Sequence, residues 1–312
     1  MQNTAFIFPG QGSQMVGMGK DFAEAYPAAG EIFQQADELL GVPFSELMFN
    51  GDADELNQTY NTQAALYVCS AAMLNALKVE LRDAEPIAYA GHSLGEFTAL
   101  YAAGALTFED GLRLVRARGR LMGLAGDQHP GAMAALLGLG ASVVHEICEI
   151  ATDQTGVPVV LANDNCPGQV VISGDNVAID AAIQLAEERG VKKAVKLAVS
   201  VAAHSPLMQP AADDFRQALD ATTITAPHTP VYANATAQPI RDIDAIRDAL
   251  NHQLTNPVRW TESVQTMLTV GVHQFVEIGS GDVLTGLIKR IDRQAGRINI
   301  NTVTALHTFK NS

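Results

Sequence analysis

Residues 87–104 read IAYAGHSLGEFTALYAAG, and the local chemistry changes twice within them. Ile87 to Ala90 form a short apolar run suited to a buried strand. Gly91-His92-Ser93-Leu94-Gly95 then interrupts it, and a helical pattern continues through Ala103. A strand, a tight GxSxG turn and a helix make the arrangement that lifts a serine hydroxyl out of a sheet edge, the flanking glycines relieving the crowding of the turn. The competing reading makes Ser93 a cap for the helix that follows. Either way the helix N-terminus would aim the Leu94 N–H at a developing negative charge.

Upstream, the buried strand 4–8 meets the turn Pro9-Gly10, and helical patterns follow at 21–40 and 62–81. Downstream, a helix is predicted over 108–124. Strands alternating with helices imply a parallel sheet covered on both faces. Between His129 and Ser200 the rhythm becomes strand 132–138, helix 141–152, strand 157–162, strand 169–173, helix 176–189 and strand 192–198, a β-α-β-β-α-β unit. Helices near 206–219, 242–253 and 258–270, a strand at 273–278 and a final helix after Gly281 resume the first pattern. The fold class expected is α/β: a large α/β-hydrolase-like domain with a parallel sheet (1–128 and 199–312) and an inserted small ferredoxin-like domain (129–198).

The 312 residues are 47% hydrophobic, enough for a sizeable core. A net charge of −14 argues against nucleic acid or an anionic membrane surface as partner. Cys69, Cys148 and Cys166 are isolated in sequence, so neither a disulfide framework nor a metal site is expected. The apolar start is too short for a signal peptide, and no uncharged stretch reaches membrane-spanning length. A cytoplasmic protein without cofactor, and a monomer, is expected.

A serine nucleophile needs a base. Of the eight histidines, His204 alone lies in a short polar segment, Ala203-His204-Ser205-Pro206, just after an apolar strand. No acidic residue nearby announces itself as its orienting partner, which leaves that task to a backbone carbonyl. The turn Pro9-Gly10-Gln11-Gly12-Ser13-Gln14 lacks the spacing of a nucleotide loop. It either is a plain turn or brings the Gln11 N–H beside Ser93, since strand ends of a parallel sheet converge on one edge. In LRLVRARGRLMGL (112–124), Arg113, Arg116 and Arg120 share one helix face and Arg118 lies away from it. An inward guanidinium needs an anion, either a protein carboxylate or a substrate carboxylate. Residues 163–169 read as a hairpin turn, and Cys166 lacks the paired histidine a thiol nucleophile requires.

FPGQGSQ at 8–14, GHSLGE at 91–96, Arg118 within RARG, NDNCPGQVVISG at 163–174, His204 before SPLM and NPVRW at 256–260 together resemble the malonyl-CoA:acyl carrier protein transacylase family, over residues 6–290. The resemblance implies a ping-pong acyltransferase of fatty acid synthesis, with malonyl-CoA and acyl carrier protein as partners. It implies Ser93 as nucleophile, His204 as base, Gln11 and Leu94 as oxyanion donors, and Arg118 on the malonyl carboxylate. It further implies that the Gln253 carbonyl orients the histidine, that Gln63 and Asn165 line the pocket, and that Lys192, Lys193, Lys289 and Arg290 dock the acidic carrier. Three residues depart from the family pattern: Ala64 and Ser280 stand where proline is usual, and Ala203 where members often carry a larger or polar residue.

Overall fold

The computed structural model describes residues 3–82, 85–199 and 201–311. Two sheets organise them. β1 (Thr4–Phe8) and β2 (Ala88–Gly91) belong to the first. β3 (Gly131–Leu137), β4 (Val159–Cys166), β5 (Gln169–Asp175) and β6 (Lys193–Lys196) make up the second. β7 (Val231–Tyr232), β8 (Pro239–Ile240), β9 (Gln274–Ile278) and β10 (Gly296–Ile300) return to the first. The first sheet has the order β10-β9-β1-β2-β7-β8 and is parallel except for the β7–β8 pair at its edge. All five residues of β1 are buried, as expected of a central strand covered on both faces. The second sheet is antiparallel with the order β4-β5-β3-β6, the strand order of a ferredoxin-like unit.

The helix Thr59–Glu80 is buried around nearly its whole circumference, which makes it the hub of the main core rather than a surface helix. It packs against the helix Phe108–Gln128, whose start is capped by Thr107 accepting from the Asp110 N–H. That packing forces one face of the second helix inward, and Arg118 lies on that face.

Several predicted elements differ from the observed ones. The helix expected over 21–40 is two, Lys20–Ala25 and Pro27–Leu40, because Tyr26 before the proline is extended and Pro27 has no N–H to continue the ladder. The helix after Gly281, Val283–Ile291, is not the last: β10 and the helix Val303–Lys310 follow. The β7–β8 pair and the short helices Phe44–Asn50 and Ala53–Leu56 are additions. β6 is shorter than the predicted 192–198, and Ser200, at the return to the large sheet, lies outside the described residues. The hairpin turn expected over 163–169 is narrower. Asn163 to Cys166 continue β4 with register shifts after Leu161 and Asp164, and such bulges bend a strand and re-aim its side chains. The bend lets β4 exchange backbone bonds with Val258 (Val258 N–H to Ala162 O, 2.8 Å; Asp164 N–H to Val258 O, 3.0 Å), tying the small sheet to the segment that leads into the helix Trp260–Thr269.

Candidate active site

Ser93 sits between the end of β2 and the helix Gly95–Ala102 with φ +50°, a left-handed conformation that an L-residue adopts at an energetic cost. The turn is too tight for side chains: a Cβ on Gly91 would lie 1.9 Å from the Gly95 carbonyl carbon, and one on Gly10 would lie 2.3 Å from His92 O. Two bonds hold the strained residue, since Ser93 N–H donates to Asn234 Oδ1 at 2.6 Å and Asn234 Nδ2 donates to Gly91 O at 2.7 Å. The Ser93 side chain caps nothing. Its Oγ lies 3.0 Å from His204 Nε2 and accepts from Arg118 Nη2 at 3.1 Å.

His204 also has a positive φ, +60°, and its own N–H donates to Leu254 O at 3.0 Å. Its Nδ1 lies 2.7 Å from the Gln253 backbone carbonyl. A carbonyl can only accept, so Nδ1 carries the proton and Nε2 offers its lone pair to Ser93. Burial and then the Arg118 charge push the His204 pKa down to about 3, against the pull of the Gln253 bond, so the imidazole is neutral at physiological pH. His92 contacts the other side of the turn: its Nε2 lies 2.8 Å from Asn165 Oδ1, and burial lowers its pKa. Asn165 thus braces the residue before the nucleophile, carried there by the bulged end of β4.

Arg118 is only 1% exposed, while Arg113 and Arg120 of the same helix face solvent. Its Nη1 donates to Gln63 Oε1 at 2.8 Å and its Nη2 to Gln253 Oε1 at 2.9 Å, and the guanidinium lies 5.7 Å from the centre of the Phe97 ring. Every partner is neutral. No carboxylate lies within ion-pair distance of Arg118 among the described residues. Burial lowers its pKa to about 10, so the cation persists at neutral pH, dry and with its charge unanswered at contact distance. The protein-carboxylate alternative for this arginine is therefore not realised, and the arrangement next to Ser93 Oγ suits an incoming anion.

Residues 5–308 match the acyl transferase domain family. The malonyl CoA-acyl carrier protein transacylase of Bacillus subtilis is 45% identical over 96% of this chain and 94% of its own. The chain belongs to this transacylase family. Among solved structures, the malonyl CoA-acyl carrier protein transacylase of Coxiella burnetii superposes with a TM-score of 0.96 at 40% identity, covering 99% of this chain and 97% of that one. A malonyl-transacylase in complex with its type II PKS acyl-carrier protein superposes with a TM-score of 0.95 at 40% identity, covering 99% of each chain.

The remaining residues that the sequence analysis singled out in this member of the transacylase family fall into three groups. The Gln11 and Leu94 N–H groups, on the two turns that Gly10 and His92 press together, make no hydrogen bond among the described residues. The Gln11 turn is braced by Gln14, which accepts from Gly12 N–H at 2.8 Å and donates to Asn57 Oδ1 at 2.8 Å. Cys166 is buried, its thiol pushed up by burial and 3.9 Å from Gln169 Oε1. Lys289 and Arg290 line a surface cavity of about 630 Å³ with Arg293 and Arg297, and Arg290 is steered by Gln169 Oε1 at 2.6 Å and Pro167 O at 3.2 Å. Lys192 packs its methylenes on Gly138, whose N–H bonds Gly168 O at 2.9 Å, and Gly168 in turn faces Arg290. Lys192 and Arg290, distant in sequence, thus stand on either side of one glycine pair, with Lys193 adjoining in β6.

Two residues of the site escaped the sequence reading. Asn234 holds Ser93, and Glu96 lies beneath both Asn234 and Gln253. Asn234 carried no usable signal, whereas a carboxylate three positions after the nucleophile, the one charged residue of the helix Gly95–Ala102, was a visible anomaly.

Proposed function

We propose that this chain moves the malonyl group from malonyl-CoA to the phosphopantetheine thiol of acyl carrier protein through a malonyl ester on Ser93. The observation that carries the reading is Arg118: a buried guanidinium held by two amide oxygens and set 3.1 Å from Ser93 Oγ. Its planar fork suits the free carboxylate of a malonyl group, which places the thioester carbonyl at the hydroxyl.

The residues then divide the work. His204 Nε2 takes the Ser93 proton as Oγ attacks the thioester carbonyl. The N–H groups of Gln11 and Leu94 hold the oxyanion. Collapse of the tetrahedral adduct breaks the carbon–sulfur bond, and the coenzyme A sulfur leaves with the proton that His204 held. In the second half-reaction the carrier thiol gives its proton to His204, its sulfur attacks the seryl ester, and the proton returns to Ser93 Oγ. Among the described residues the Gln253 carbonyl, and no carboxylate, orients the base. The Arg118 charge helps to depress the basicity of His204, and a bound malonyl carboxylate offsets that charge, so substrate strengthens the base that must act on it. Gln63 fixes one arm of the arginine and Asn165 steadies the elbow through His92.

The basic edge of Lys192, Lys193, Lys289 and Arg290 docks the carrier in this reading. An acidic partner approaching a chain of net charge −14 needs such a local patch. Residues 129–198 form the small domain inserted into the catalytic one and carry half of that patch. The product, a malonyl thioester, enters fatty acid synthesis.

Incubation with malonyl-CoA in the absence of acceptor should leave a malonyl adduct on Ser93, seen by peptide mass spectrometry, that disappears on addition of carrier protein and never forms in Ser93→Ala. An adduct on Cys166, or none, would sink the nucleophile assignment.

A further inference from the structure

Glu96, in the first turn of the helix Gly95–Ala102, is fully buried. Its Oε2 accepts from Gln253 Nε2 at 2.6 Å and from the Asn234 N–H at 3.2 Å, while its Oε1 has no hydrogen-bond partner among the described residues. Burial pushes its pKa up to about 7 against these bonds and the Arg118 charge. The mechanism above makes no use of this carboxyl group, yet it stands directly behind the residue that serves both His204 and Arg118.

Gln253 faces three neighbours through its side-chain amide. Oε1 accepts from Arg118 Nη2 at 2.9 Å, and Nε2 donates to Glu96 Oε2 and to Ser93 O at 2.9 Å. A guanidinium only donates, and a backbone carbonyl only accepts, so one orientation of the amide satisfies all three. Turned over, it would set an NH₂ against the guanidinium and an oxygen against two acceptors. The Arg118 arm that depends on this amide, Nη2, is the one that also reaches Ser93 Oγ; the other arm is fixed separately by Gln63.

We propose that Glu96 is a positioning residue for acyl-group selection: by accepting from Gln253 Nε2 at shorter range than Ser93 O does, it anchors the amide with its oxygen toward Arg118, and so keeps the Nη2 arm beside Ser93 where it grips the carboxylate of the acyl group. This rests on the carboxylate-binding role of Arg118 proposed above. The chemistry asked of Glu96 is that of an acceptor oxygen, which a glutamine side chain also supplies. An aliphatic side chain does not.

The test compares the wild-type enzyme, Glu96→Leu and Glu96→Gln, with specificity constants for malonyl-CoA and acetyl-CoA and a melting temperature for each. Displacing a binding group by about an ångström costs on the order of 10²-fold. Glu96→Leu should therefore lower the malonyl-to-acetyl ratio by about 10- to 100-fold, mostly through a raised KM for malonyl-CoA. Glu96→Gln should keep the ratio within about fivefold of wild type, the scale of one altered hydrogen bond. An unchanged ratio in a folded Glu96→Leu protein would overturn the proposal. So would a Glu96→Gln enzyme that loses as much selectivity as the leucine variant, since that would assign the role to charge. A wild-type enzyme indifferent to the acyl carboxylate would overturn the Arg118 reading instead.

Discussion

Arg118 and Arg290 carry the same charge at opposite extremes of solvation. Arg118 is 1% exposed and bonded to neutral oxygens; Arg290 lies on an open rim among Lys289, Arg293 and Arg297. A dry cation beside the nucleophile interacts through a low effective dielectric, so an anion that reaches it is bound strongly and in one geometry. The rim arginines are screened by water and salt, so together they steer a partner without fixing it. On the function proposed above, selection of the acyl group belongs to the interior, and recruitment of the carrier to the edge.

The sharpest way to break this division is to disable the interior chemistry. His204→Ala should slow acylation of Ser93 by about two to four orders of magnitude, the scale of losing a general base. Malonyl-CoA and acetyl-CoA should suffer alike, whatever the salt concentration. Stopped-flow release of coenzyme A checks this, and a near-wild-type rate would assign the base elsewhere.

Charge reversal at the rim, Lys289→Glu with Arg290→Glu, should raise the KM for carrier protein by roughly tenfold at low ionic strength. The defect should shrink as salt approaches 0.5 M, about where the screening length falls to a few ångströms. The half-reaction with malonyl-CoA should move less. Equal damage to both half-reactions, unaffected by salt, would place the docking face elsewhere.

The smallest expected effect is with pH. Because the His204 pKa of the free enzyme is lowered to about 3, the base stays unprotonated as pH falls from 8 to 5, and kcat/KM for acylation, which reports the free enzyme, should be flat across that range. His92 is also lowered by burial, and Glu96, raised to about 7, gains its proton there while keeping an oxygen toward Gln253. A limb near 6.5, the ordinary histidine value, would contradict the buried, neutral base.

What could be read from the sequence was what is local. Strand, GxSxG turn and helix are contiguous, so the elbow was legible, and the 100° helical step separated Arg118 from its neighbours. His204 was found by the poverty of alternatives. The Gln253 role was legible only by resemblance, because it is performed by a backbone carbonyl that any residue would supply. Asn234 reaches Ser93 across 141 positions and Gln253 reaches Glu96 across 157, and no periodicity reports such pairs. β7 and β8 have two residues each, too few to establish an alternation. β10 is mostly half-buried at the sheet edge, which blurred its apolar signal.

The central claim is that Arg118 holds a substrate carboxylate. The direct measurement is the pair of specificity constants for malonyl-CoA and acetyl-CoA in Arg118→Ala, with the melting temperature alongside. Loss of one partner of a desolvated charge pair typically costs about 2 to 5 kcal/mol, so malonyl-CoA should fall by roughly 30-fold to several thousand-fold. Acetyl-CoA should fall far less, and Arg118→Lys should recover part of the loss without the two-pronged geometry. Parallel losses for both acyl groups with a lowered melting temperature would contradict the claim and return Arg118 to a purely structural role.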